Sequence, residues 1–292
     1  MGWLTWRGTE QSQDATIWSY TMCNWRHSLS FLILLLSSPA LRMTKDLFPD
    51  IVDKAFIEEC LREHNAGRSR VSPPASNMLY MTWDEGLAVT ARAWARKCLF
   101  EHNIYLHEKG KVHPVFTTVG ENIWAGAPYT MFSVKKAIED WINENLHYDY
   151  DNHHCKEVCT HYTQVVWAET YKVGCAVQAC PSGVAKTTFM STPGAIFVCN
   201  YAPAGNYPHA PYLNGESCSR CGNEKCDNKL CHNITREEPR RYKWNPDWDP
   251  ALPLFGSFYK TILIIRPLSL VFIFSCVYCL QRHYTNLFAY TA

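Results

Sequence analysis

The sequence offers little to a nucleic acid. Its 28 lysines and arginines against 27 aspartates and glutamates leave a net charge of +1, and no basic stripe runs along it that could track a phosphate backbone. It also lacks a Gly-x-Ser-x-Gly elbow and a His-Glu-x-x-His helix, which sets aside the serine-hydrolase and zincin routes to hydrolysis. No cysteine stands out as an activated thiol. Asn233-Ile234-Thr235 is its only N-glycosylation sequon.

Cysteine itself is abundant. Fourteen in 292 residues pose a compartment question, because the same residues form disulfides in the secretory pathway and bind metals or react as thiols in the cytosol. The N-terminus decides it. Arg26 and His27 precede the apolar run Leu29 to Leu36, and Ser38-Pro39-Ala40 offers a small-x-small cleavage pattern. The run is too short to span a bilayer about 30 Å thick and polar chain bounds it, so a cleaved signal peptide is expected rather than a core helix. Residues 1–21 carry no targeting pattern, and Met22 would begin a signal of ordinary length. Met22 therefore reads as the start site.

At 47% hydrophobic and 19% charged, the chain can bury one core of about 150 to 200 residues with flanks left over. Between Ile57 and Cys98 the apolar spacing is helical. Phe56, Cys60, Leu61 and His64 share one face, and Leu87, Ala91, Trp94, Ala95 and Cys98 another, with the Val71-Ser72-Pro73-Pro74 turn between them. A third amphipathic run, Val134 to Leu146, gathers Ile138, Trp141, Ile142 and Asn145 behind Ser133 as N-cap. Val173 to Val177 and Ala195 to Tyr201 are rich in β-branched and aromatic residues and read as strands. Helices first and strands afterwards predict an α+β domain with helices on a mostly antiparallel sheet. Thr160-His161-Tyr162-Thr163-Gln164-Val165-Val166-Trp167 is ambiguous. Its alternation of Thr163, Val165 and Trp167 fits a strand that ends at His161, while Thr160 fits a helix N-cap.

Past the core the texture changes. Paired cysteines with Pro, Gly and Asn mark a small module over 209–232, and 233–258 reads as an exposed linker that holds the sequon at Asn233. The apolar stretch Thr261 to Leu280 has the length of a membrane helix. Arg266 lies near its start, where it can snorkel, and Arg282 and His283 follow it as a cytoplasmic stop. A type I single-pass anchor over 259–281 with a tail at 282–292 is the reading. A glycolipid-anchor signal is disfavoured by the polar and aromatic residues Gln281 to Ala292.

Three motifs, Gly120-Glu121-Asn122-Ile123-Trp124-Ala125-Gly126, His161 to Trp167 and Phe197 to Tyr207, together resemble the CAP superfamily of cysteine-rich secretory, antigen 5 and pathogenesis-related 1 proteins. The resemblance extends to Glu63-His64-Asn65 and to the segment from Met81 to Cys98. It spans about residues 50–208 and, with the apolar C-terminus, is most like the glioma pathogenesis-related branch. It implies a three-layer α-β-α sandwich, with a cleft lined by His102, Glu121, Glu144 and His161. Two neutral imidazoles could bind Zn²⁺ while carboxylates orient a ring or take a proton from water. The alternative is a satisfied hydrogen-bond network that takes up metal only opportunistically, since a catalytic zinc site usually has three protein ligands.

The resemblance also implies the pairs Cys98–Cys180 and Cys175–Cys199, which leaves Cys155 and Cys159 to pair locally and Cys60 without a partner. His153-His154-Cys155-x3-Cys159-x-His161 could pass for a zinc cluster in a cytosolic protein, but behind a signal peptide the disulfide reading prevails. Cys218-x2-Cys221-x4-Cys226-x4-Cys231 resembles the hinge of cysteine-rich secretory proteins, with Cys218 joined to Cys226 and Cys221 to Cys231; a zinc ribbon is the competing reading. Cys276 and Cys279 are positioned for palmitoylation or for packing in the apolar helix. The expectation is a membrane-anchored, extracellular or lumenal protein, or a secreted one if the C-terminal segment is removed. It would bind a lipid, a sterol or a protein, with weakly bound zinc as its one cofactor. The rival is a metal-dependent hydrolase with Glu121 or Glu144 as base.

Overall fold

The computed structural model describes residues 47–251 and 257–283, so the signal peptide, the Met22 start and the tail beyond His283 lie outside the described residues. The first helix, α1 (Lys54–Arg68), starts where Asp53 Oδ1 accepts the Phe56 amide at 2.9 Å, and it buries Phe56, Cys60 and His64 at successive four-residue steps. After strand β1 (Thr82–Trp83), Asp84 caps α2 (Glu85–Ala95) in the same way through the Leu87 amide. Strand β2 (Gly120–Gly126) follows, then α3 (Val134–Asn143), capped by Ser133 on the Lys136 amide at 3.1 Å. The sequence periodicity carries this helix to Leu146. The structure tightens it into a 3₁₀ turn at Glu144–His147, where the four last carbonyls of an α-helix must find other partners.

A short hairpin, β3 (Tyr148–Asp149) and β4 (His154–Cys155), leads to α4 (Thr160–Val165), which resolves the ambiguous stretch as a helix. The sheet is then completed by β5 (Lys172–Cys180) and β6 (Gly194–Ala202), in the order β1-β5-β6-β2. The β5–β6 and β6–β2 pairs are antiparallel and β1–β5 is parallel. Both faces of β6 are buried. Phe197, Cys199 and Tyr201 pack with α1 and α3 residues such as Phe56, Ile138 and Trp141, while Ile196 and Val198 pack with Ala91, Trp94 and Ala95 of α2. The period-two alternation thus serves two cores, giving the α-β-α sandwich. Gly174 on β5 is required for this. A Cβ there would come within 2.1 Å of the Ala88 backbone nitrogen and lift α2 off the sheet.

Disulfides join Cys98 to Cys180, Cys175 to Cys199 across the β5–β6 register, and Cys155 to Cys159. In the hinge, Cys218 bonds Cys226 and Cys221 bonds Cys231. The hinge strands β7 (Lys225–Asp227) and β8 (Leu230–His232) dock on the domain, where the Cys231 amide reaches Met78 O at 2.8 Å. Asn233, expected on an exposed linker, instead caps the single turn α5 (Ile234–Glu237) and donates to Glu224 at 3.1 Å. The stretch read as linker is largely fastened to the domain, with Asp249 buried against Arg96. Finally α6 (Ser257–His283) is long and apolar enough to cross a membrane, with mean hydropathy 2.2 over Ile262–His283 and Arg282 and His283 in its last turn.

Candidate functional site

Glu121 is the second residue of β2, and its carboxylate is wholly buried. Its Oε1 accepts the Asn103 amide at 2.8 Å and the His102 ring through Nδ1 at 3.1 Å, and its Oε2 accepts Asn200 Nδ2 at 3.3 Å. His102 stands at the surface, 63% exposed, on the loop after the disulfide-bonded Cys98. The hydrogen bond to Glu121 favours the protonated ring and raises the pKa of His102, with burial opposing it.

The second pair comes from the other face of the sheet. Glu144 Oε1 meets His161 Nδ1 at 2.6 Å, while its Oε2 accepts the amides of His161 and Tyr162, both at 3.1 Å. The His161 ring also stacks on Trp141, at 6.2 Å between centroids and 12° between planes. Glu144 therefore orients the ring and caps α4 at once. The N-cap role that Thr160 could have filled falls to a carboxylate seventeen residues before the His161 amide it accepts.

The opposite end of α4 is capped by a cation. Arg68, fully buried at the end of α1, makes six hydrogen bonds to five carbonyls: Leu79, Val165, Trp167, Ala168 and Thr170. Burial lowers its pKa to about 9, so it keeps its charge at neutral pH. A helix of six residues is unstable by itself. Glu144 at its N-terminus and Arg68 at its C-terminus supply charges of the sign the helix dipole favours at each end.

The two pairs are tied through β2. Asn122, next to Glu121, donates from Nδ2 to His161 O at 3.0 Å and to the Tyr201 hydroxyl at 3.3 Å. Behind Tyr201 lies the buried His64. Its Nδ1 faces Cys60 O at 2.7 Å and must donate, so Nε2 accepts the Tyr201 hydroxyl proton at 2.9 Å. Burial pulls the His64 pKa down to about 4, which keeps the ring neutral. Gly120 admits Gln164 beside this line, since a Cβ there would sit 2.0 Å from Gln164 Oε1. The roles of Asn103, Asn122, Asn200 and Arg68 escape a reading of the sequence alone. Asn122 and Asn200 lie inside quoted motifs, but Arg68 carries no signal in the sequence.

Chemically, each histidine gives Nδ1 to a carboxylate, which fixes the tautomer with Nε2 as the free lone pair. Among the described residues no hydrogen bond occupies Nε2 of His102 or His161. That is the donor arrangement of carboxylate-supported imidazole ligands, one from each face of the sheet, though among the described residues neither ring belongs to a group of three ligand side chains close enough to hold an ion. Among the described residues, His64, Cys175 and Cys199 do lie within ligand distance of one another, but they do not make a metal centre. The two sulfurs are bonded to each other, and both His64 nitrogens are engaged.

The cysteine-rich secretory protein family profile matches residues 61–201. GLIPR1-like protein 1 of Bos taurus is 51% identical over 204 residues, covering 70% of this chain and 80% of that protein. Glioma pathogenesis-related protein 1 of Mus musculus is 45% identical over 247 residues, 84% of this chain and 91% of the relative. Among solved structures, NaASP2 with Zn²⁺ is 27% identical at a TM-score of 0.49, covering 62% of this chain and 96% of that one. By the family profile and the two relatives, the chain belongs to the CAP family of cysteine-rich secretory proteins, in its glioma pathogenesis-related branch.

Proposed function

We propose that this protein works by binding, as a CAP domain held at a membrane by α6 and facing the extracellular or lumenal side, with a lipid, sterol or protein ligand taken at the His/Glu-lined surface. One observation carries the preference for binding over hydrolysis. Glu121 and Glu144 each accept three hydrogen bonds, so neither carboxylate is left to act as a general base toward water. They act as supports for His102 and His161, whose Nε2 atoms are left without a hydrogen bond and could hold Zn²⁺ weakly. Zinc so held would orient a polar ligand group rather than a nucleophile. Five disulfides suit the oxidising compartment this placement requires. Asn233 is the position where a glycan would be carried.

Lipid extraction of the purified full chain, followed by mass spectrometry, tests the lipid arm. A defined sterol or fatty acid at near-stoichiometric yield supports it, and its absence leaves protein recognition as the mode. The hydrolase rival makes its own demand. A metal-dependent turnover abolished by Glu121→Gln or Glu144→Gln would replace the binding account.

A further inference from the structure

Residues 238–251 have the composition of a spacer, yet they lie on the domain as a strap. Lys172 Nζ donates to Glu238 O at 3.3 Å, and the Tyr242 hydroxyl donates to Asp84 Oδ2 at 2.9 Å, the same carboxylate that caps α2. Trp248 is the main fastening. Its ring stacks on Tyr105 at 5.0 Å and 18°, meets Trp94 edge-on at 6.1 Å, and its Nε1 donates to Lys111 O at 2.8 Å. Lys97 Nζ lies 4.7 Å from the Trp94 ring centre and 5.7 Å from that of Trp248. One residue on, Arg96 Nη1 reaches both Asp249 oxygens at 2.8 and 3.0 Å, and the Asp249 side chain is only 3% exposed. Arg96 keeps some contact with water at 29% exposure, but separating the pair strands a buried carboxylate, which holds the partners in place. The Lys111–Asp247 pair nearby is exposed and adds little.

Only six residue steps separate Ala251, the last strapped residue, from Ser257, where α6 begins. At about 3.6 Å per residue that is a reach of roughly 20 Å. The layer of α1, α3 and α4 lies on the far side of the sheet from α2, about 20 Å further on for two layers at ~10 Å each. A tether this short lets the α2 side approach the membrane freely, whereas bringing the far layer against it would require the tether to be fully extended.

We propose that the strap is a fixed mount: it turns the surface built by the Asn103–Lys111 loop and residues 242–251, which lies over the buried helix α2, toward the bilayer that α6 enters. The partner of this surface is the lipid headgroup layer, and the proposal rests on the reading of α6 as a membrane span. It makes the domain's orientation a property of the fold rather than of a flexible stalk.

The test uses the full chain in phosphatidylcholine nanodiscs doped with an acceptor-labelled lipid. A donor dye is placed at position 108 or position 151 through an encoded reactive residue. Glu108 lies in the loop whose Lys111 carbonyl holds Trp248, and Asp151 in the β3–β4 turn that follows α3. Energy transfer from 108 should exceed that from 151 at least twofold. Trp248→Ala/Asp249→Ala should abolish the difference and speed hydrogen exchange across 242–251, with β5 and β6 amides still protected. A flexible insertion of about 20 residues after Ala251 lengthens the tether without touching the strap. It too should collapse the difference, while exchange in the strap stays slow. Equal transfer from both positions in the native chain, or a difference that survives either change, would overturn the proposal. If the chain fails to enter nanodiscs while strap amides remain protected, the membrane reading is what fails, and the proposed partner fails with it.

Discussion

Replacing Arg68 by methionine keeps an unbranched side chain of similar length and removes six hydrogen bonds from five carbonyls. Two of those carbonyls retain another donor: Trp167 O keeps the Thr170 amide at 3.1 Å, and Ala168 O keeps the Leu79 amide at 3.2 Å. The oxygens of Leu79, Val165 and Thr170 are the ones at risk. A buried acceptor left unmade costs about 1–3 kcal/mol, so three of them toward the lower end give a loss of about 3–5 kcal/mol. That is a large share of the ~5–15 kcal/mol available to a domain. Urea unfolding of the disulfide-intact protein, followed by tryptophan fluorescence, measures it directly. The His161 amide should also lose hydrogen-exchange protection ahead of the rest of the domain, because Arg68 closes the C-terminal end of α4. A loss under ~1 kcal/mol, with unchanged exchange at His161, would refute the idea that Arg68 holds that helix.

Three further outcomes follow from the same structure. His64 is neutral in the fold with a pKa of about 4 against an ordinary 6.5, so the unfolded chain binds the extra proton between those values. Stability should therefore be full above about pH 6.5 and fall by about 3 kcal/mol as pH drops through 4, a slope that His64→Gln should flatten in pH-dependent urea titrations. For His102 the sign is opposite. Its pKa is raised by Glu121, so the pair's contribution is present below pH 6.5 and fades as pH rises through the raised value, and Glu121→Gln should return the NMR titration of His102 to the ordinary imidazole range. Removing the Cys98–Cys180 bridge, which closes a sequence separation of 82, should cost about 4 kcal/mol by chain entropy and show as a lowered urea midpoint.

The main helices and strands were legible because one residue pattern met one environment. Phe56, Cys60 and His64 repeat every four residues and face a single core, and β6 alternates between two cores. The stretch from Thr160 to Trp167 was not legible, because its period-two alternation is that of a strand. Its helix is decided by Glu144 and Arg68, charges that lie seventeen and 97 residues away from the backbone groups they cap. The strap was illegible for a related reason. Trp248 and Asp249 show no periodicity, and their meaning lies in Tyr105, Lys97 and Arg96. His102, Glu121, Glu144 and His161 were expected through a family resemblance, whereas their pairing as His102 with Glu121 and His161 with Glu144 is a matter of geometry that spacing could not supply.

Isothermal calorimetry with Zn²⁺ on the full chain tests the central claim, that two carboxylate-held histidines form a binding site. Binding should be weak, on the order of micromolar or poorer, should be lost in His102→Ala/His161→Ala and should weaken as pH falls through the raised pKa of His102. Binding that persists unchanged in the double variant, or no binding to the native chain at pH 7.5, would contradict it.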